Sequence, residues 1–118
     1  VVYDLRHSLD CFIAIGLPID ELRIGEGGSH SPLWRQIQAD IFGRDVVRIA
    51  TDDLSAVGAA LLAGVGCGLY PDFATACSRA VKLAETVPCR ADQATAYARA
   101  FARYGALYPL LKEWYAGK

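Results

Sequence analysis

The feature that most constrains this chain is an alternation across residues 22–66: LRI, GEGGSHS, PLWRQIQADIF, DVVRI and then DDLSAVGAALLAGVG. The two short apolar runs, Leu22–Ile24 and Val46–Ile49, are too brief for helices and are bounded by Gly, Pro and Asp, so they read as buried strands. Between them Ser31 stands directly before Pro32, an N-cap followed by an N1 proline, and the helix this starts runs to Phe42 and stops at Gly43. Asp52 and Asp53 then open another helix, their charge suited to the positive end of its dipole. Strand, loop, helix, strand, helix predicts an α/β layered domain with short strands packed between helices.

The flanks predict helices. Val2, Leu5, Leu9, Phe12 and Ile13 recur at spacings of three and four, giving an amphipathic helix over 2–15 that ends at Gly16. Nothing ahead of Val1 caps it, so the chain reads as cut from something longer. After GCGLYPD a helix is expected over 73–85, then TVPCRAD as a loop, then one long helix over 93–115. Gly64, Gly66 and Gly68 follow a helix, where a dinucleotide fingerprint would follow a strand, and read as a helix end and turn. Gly58, among alanines, is expected to allow close packing. Trp34, Trp114 and the tyrosines at 97, 104, 108 and 115 read as core or interface.

Composition narrows the function classes. The 118 residues hold one domain at most, and 12 Lys+Arg against 13 Asp+Glu give a net charge of -1, which offers no pull toward nucleic acid or a membrane surface. No apolar run nears the roughly 20 residues of a membrane helix, and the N-terminal stretch is unlike a signal peptide. The four cysteines form no C-x-x-C pair, and the two histidines are not spaced as ligands beside them, so reduced thiols and a cytoplasmic setting are expected, with no metal site. Hydrophobic residues are 53% and charged ones 21%, with mean hydropathy +0.22, an excess that points to a missing partner surface.

The segment GEGGSHS raises the chemical question. A turn needs one glycine or two, and this loop carries Gly25, Gly27 and Gly28. A strand, a glycine-rich turn and a helix start in that order can cradle an anion or nucleotide, because backbone N–H groups converge there and glycine lets a ligand approach the main chain. It can also be a plain helix-start turn, the reading that the residues alone favour. It is neither G-x-x-x-x-G-K-[ST] nor G-x-G-x-x-G. No Ser/His/Asp or Cys/His set can be assembled, and Asp40, Asp52 and Asp53 have no evident base or metal partner, so no catalytic residue is assigned.

The stretch LRIGEGGSHSPLWRQIQADIFGRDVVR, followed by DDLSAVGAALLAGVGCGLY, resembles the C-terminal region of the FGGY carbohydrate kinases, and looks most like the xylulose kinases among them. Gly27, Gly28, Ser29, Ser31, Trp34, Gln36, Ala39, Asp40 and Gly43 fall on the family's first motif. Asp52, Asp53, Gly58, Ala59, Ala60, Gly66, Gly68 and Tyr70 fall on its second, and YARAFARYGALYPLLK looks like its terminal tyrosine-spaced helix. The resemblance implies part of an actin-like, ribonuclease-H-like ATPase lobe, with residues 1–118 forming the C-terminal portion of the ATP-binding domain and the sugar-binding domain, phosphate loop and catalytic aspartate lying upstream. It implies ATP and Mg²⁺ as cofactors, the metal held mainly outside this chain. ATP or ADP, a sugar such as D-xylulose and the remainder of the kinase chain are the implied partners, and a homo-oligomer is left open. Gly27, Gly28 and Ser31 would contact nucleotide, with Ser29 beside them. Taken alone, the chain would lack kinase activity. Glu26 departs from the family by replacing the first glycine of the triplet, and is expected to point away from the phosphates. The alternatives are an interaction module of this fold that no longer binds nucleotide and, from the second glycine cluster, a dinucleotide-dependent oxidoreductase.

The apolar excess yields a first prediction. Burying a few hundred Å² of uncovered apolar surface at about 25 cal/mol per Å² gives several kcal/mol. The chain alone is expected to self-associate in light scattering across a dilution series and to bind a hydrophobic dye. A dye-free monomer persisting to high micromolar concentration would contradict this.

Overall fold

A computed structural model describes residues 1–117. In chain order the elements are α1 (Val2–Ala14), β1 (Leu22–Ile24), a single 3-10 turn (Gly27–His30), α2 (Pro32–Phe42), β2 (Val46–Ile49), α3 (Leu54–Gly66), α4 (Phe73–Ala80), β3 (Leu83–Val87), α5 (Ala91–Gly105) and α6 (Leu107–Ala116). The sheet has the order β1-β2-β3. β1 and β2 pair in parallel, Leu22 opposite Val46 and Ile24 opposite Arg48. β3 adds antiparallel, Val46 opposite Val87, with an irregularity between Val47 and Ile49.

The local signals between 22 and 66 act as expected. The Ser31 hydroxyl accepts the Trp34 N–H at 3.3 Å, and Gly43 ends α2 in the left-handed region at φ 65°. Asp53 Oδ1 accepts the Ala56 N–H at 3.1 Å and caps α3. One face of α2 lies on the sheet, so that Ile24, Ala39 and Val46 form a buried core with Leu22, Phe42 and Val87 against it. α1 is held to the rest by aromatic and basic side chains. Tyr3 lies between Phe101 and Tyr104 of α5, with ring centroids 5.8 and 5.3 Å away, and Arg6 donates to the Ile41 carbonyl at 2.6 Å.

Three expectations are corrected. The helix placed over 73–85 ends at Ala80, and Leu83–Val87, read as helix and loop, is β3. Its residues are mostly helix formers, and pairing with β2 overrides that preference. The helix placed over 93–115 is two, α5 beginning at Ala91 and giving way to α6 after Gly105. Pro109 has no N–H to return to the Gly105 carbonyl, so the hydrogen-bond ladder breaks there, and Pro109 sits in the first turn of α6, where it is tolerated. Gly58 is exposed, and a Cβ there would meet nothing within 4 Å, so close packing is not its role among the described residues.

The fold is extended. Its radius of gyration is 18.0 Å over extents of 54 × 38 × 28 Å, where a compact domain of this length would have about 13–14 Å. Phe12, Ile13 and Ile15 at one end and Leu110, Leu111 and Trp114 on α6 stand exposed.

Asp40, fully buried in α2, is the polar anchor of this arrangement. Arg90 donates to it from Nε at 3.0 Å and from its backbone N–H at 2.8 Å, and Gln36 Nε2 donates at 3.0 Å. Burial pushes the Asp40 carboxyl up, but these donors outweigh it and hold the group below the ordinary carboxylate range. A carboxyl whose folded pKa is depressed stabilises the fold above its unfolded value of about 3.9, and that stability fades as pH falls through the lower folded value. Asp40→Asn is therefore expected to cost about 2–3 kcal/mol at pH 7 in urea unfolding, with the gap to wild type closing below about pH 4. A gap that stays constant down to pH 3 would contradict this role.

Candidate functional site

Because β1 and β2 are parallel, the loops that leave them emerge at the same edge of the sheet, where open α/β sheets place ligands. The first is the glycine loop, and the second carries Asp52 and Asp53 into α3. The structure brings the two together. Glu26 Oε1 accepts the Leu54 N–H at 2.7 Å, and His30 Nε2 lies 3.2 Å from Asp52 Oδ1.

Glu26 sits at φ 61°, ψ -172°, backbone that glycine adopts freely and other residues rarely do. Such a conformation costs roughly 1–3 kcal/mol. Its carboxylate recovers part of this by meeting a free N–H at the positive end of the α3 dipole. The carboxylate is thus committed to α3, which answers what a charged side chain does at this position.

The glycines differ in what requires them. A Cβ on Gly25 would overlap Leu54 Cδ1, so this glycine admits α3. A Cβ on Gly28 would lie 3.1 Å from Trp34 Nε1, so that one admits the indole of α2. Gly27 has no such reason: nothing lies within 4 Å of its would-be Cβ, and its φ is not positive. Among the described residues no acceptor takes the N–H of Gly27 or Gly28, and both residues are exposed. Open backbone with unpaired donors fits a ligand that lies along the main chain.

The two serines behave differently. Ser29 is buried, its hydroxyl donating to the Glu26 carbonyl at 2.8 Å, and it holds the turn closed. Ser31 is exposed, and while its oxygen caps α2 its hydroxyl hydrogen remains free to donate outward. The second glycine cluster is a helix end: α3 closes at Gly66, Gly68 takes φ +79°, and a Cβ on Gly64 would press on Tyr70 at 2.8 Å.

One side chain that the sequence did not single out shapes the loop. Arg35, on the first turn of α2, donates from Nη1 to the carbonyls of Ser29 at 2.6 Å and His30 at 3.1 Å. Its Nη2 lies 2.8 Å from Glu85 of β3. With β3 unrecognised, nothing in the sequence pointed to this partner.

Comparison with known proteins agrees with this architecture. Residues 1–67 match the model of the FGGY family of carbohydrate kinases, C-terminal domain, and the chain belongs to that family. Glycerol kinase of Methylibium petroleiphilum is 48% identical over 63 residues, 53% of this chain and 13% of that protein. Glycerol kinase of Koribacter versatilis is 44% identical over 73 residues, 61% of this chain and 15% of its own length. Among solved structures, xylulose kinase from Rhodospirillum rubrum superposes with a TM-score of 0.78 at 28% identity, over 98% of this chain and 23% of that one. Gluconate kinase from Lactobacillus acidophilus shares the fold at a TM-score of 0.77 and 20% identity, over 93% of this chain and 22% of its own. The matched parts of these proteins are thus less than a quarter of their lengths.

The different demands on Gly25 and Gly27 are separable in urea unfolding. Gly25→Ala is expected to cost about 1–3 kcal/mol through its clash with Leu54. Gly27→Ala should leave stability unchanged or raise it by up to about 1 kcal/mol. A Gly27→Ala loss equal to that of Gly25→Ala would mean that Gly27 is structural after all.

Proposed function

We propose that this chain is the nucleotide-binding part of an ATP-dependent carbohydrate kinase and that the adenosine portion of ATP lies along the glycine loop. The observation that carries this reading is Gly27, a glycine that neither the packing nor the backbone of this chain requires. In this reading Gly27 and Gly28 give the nucleotide access to the main chain and offer their N–H groups, and Ser31 offers its hydroxyl. Ser29 acts from behind by fixing the turn. ATP supplies the phosphoryl group that is transferred to the sugar. This chain contributes binding and orientation, which together with charge stabilisation make up the catalysis of such transfers.

In this reading Mg²⁺ accompanies the ATP and is held mainly by parts of the kinase outside this chain. A sugar such as D-xylulose is the acceptor in this reading, supported by the likeness to a xylulose kinase along 98% of the chain, whereas the matched glycerol kinase covers 53% of it. A cytoplasmic setting accords with a supply of ATP. The rival reading, a module that has lost nucleotide binding, draws on Glu26 as a repulsive charge and on the catalytic parts missing from this chain; the bond of the Glu26 carboxylate to the Leu54 N–H weakens the first motive and leaves the second.

In the full-length kinase, Gly27→Asp is expected to weaken ATP binding at least tenfold, about 1.4 kcal/mol, by filling the open face and opposing the phosphates. Sugar affinity should hold within about twofold, since the sugar pocket lies elsewhere. Calorimetry with each ligand decides it, and unchanged ATP affinity in the folded variant would contradict the assignment.

A further inference from the structure

We propose that Arg35 is the positioning residue of the nucleotide loop, holding residues 27–31 by the carbonyls of Ser29 and His30 and anchoring that hold to the sheet through Glu85. The inference rests on the reading of the glycine loop as the nucleotide contact.

The geometry is that of a strut. The loop makes few other attachments: Glu26 fixes its beginning to α3, Ser29 closes the turn on itself, and His30 reaches the exposed Asp52. Among the described residues, Arg35 is the side chain that ties the far end of the turn to the sheet. Its side chain is only 11% exposed, and its planar fork spreads donors over two loop carbonyls on one side and a carboxylate on the other. Lysine, a point charge, cannot span all three. Glu85 also faces Arg48, whose Nε is 3.7 Å from the same Oε1, so one carboxylate serves two cations, one from α2 and one from β2.

While the Ser29 and His30 carbonyls are bonded to the guanidinium, the exposed Gly27 and Gly28 keep N–H groups without a protein acceptor. No atom of Arg35 lies within 4 Å of a would-be Gly27 Cβ. Arg35 acts by fixing the turn that carries these donors, which saves the ordering cost that a floppy loop would add to binding.

The test uses the full-length kinase with Arg35→Gln and, because a nearly buried arginine can be needed for folding, Glu85→Gln, whose side chain is 52% exposed. Two readouts are taken: amide hydrogen exchange without nucleotide over residues 29–31, where the Ser29 and Ser31 N–H groups bond within the turn, and the Kd for ATP by calorimetry. Both variants are expected to speed exchange in the loop about tenfold, while β1 and β2 stay protected. ATP Kd should rise about tenfold for Arg35→Gln and less for Glu85→Gln. Loop exchange unchanged in Glu85→Gln and in any folded Arg35→Gln would overturn the strut. Faster loop exchange with an unchanged ATP Kd would overturn the nucleotide reading on which the proposal rests, and the proposal with it.

Discussion

The parallel pairing of β1 with β2 is the constraint on which the rest of the structure depends. Two parallel neighbours cannot be joined by a tight turn, so the chain must cross back over the sheet, and α2 is that crossover. The crossover sets α2 against Ile24 and Val46, and it obliges the loops leaving both strands to sit side by side. A glycine loop at one strand end and a helix start at the other are then neighbours by topology. Glu26, bonded to the Leu54 N–H, and Gly25, packed under Leu54, make the contact specific.

Polar braces then hold a scaffold with a small apolar core. Asp40 with Arg90 and Gln36 ties the C-terminal half of α2 to the start of α5, and Arg35 with Glu85 ties its N-terminal half to β3. α2 is thus pinned near both ends, and the loop that feeds it inherits that rigidity. Each brace joins residues about 50 positions apart in the chain. Such contacts are lost together when packing is lost, which makes the loop geometry a property of the whole layer.

Legibility in the sequence followed the range of the forces involved. β1, α2, β2 and α3 were readable because local signals agree: Ser31 and Pro32 start α2, Gly43 stops it, and Asp53 caps α3. β3 was not, because Leu83 to Val87 has helix-forming composition and becomes a strand only beside β2. The break between α5 and α6 was available in principle from Gly105 and Pro109, but the aromatic spacing ran through both and masked it. At the site, the three glycines drew attention together, and the structure separated them into one that admits Leu54, one that admits Trp34 and one left open. The roles of Glu26 and Arg35 were illegible, since each depends on a partner at least 28 residues away.

The exposed apolar side chains of α1 and α6, and a shape far more extended than a compact domain, leave apolar surface uncovered in a segment that matches 23% of the xylulose kinase it superposes on. The central claim is that the open face of Gly27 is where the nucleotide lies. The most direct measurement is a crystal structure of the proposed full-length kinase with a bound adenine nucleotide. The account predicts adenosine atoms in van der Waals contact, about 4 Å, with the Gly27 Cα, and the Gly27 or Gly28 N–H directed at the ligand. A nucleotide bound elsewhere, with Gly27 still facing open solvent, would contradict it.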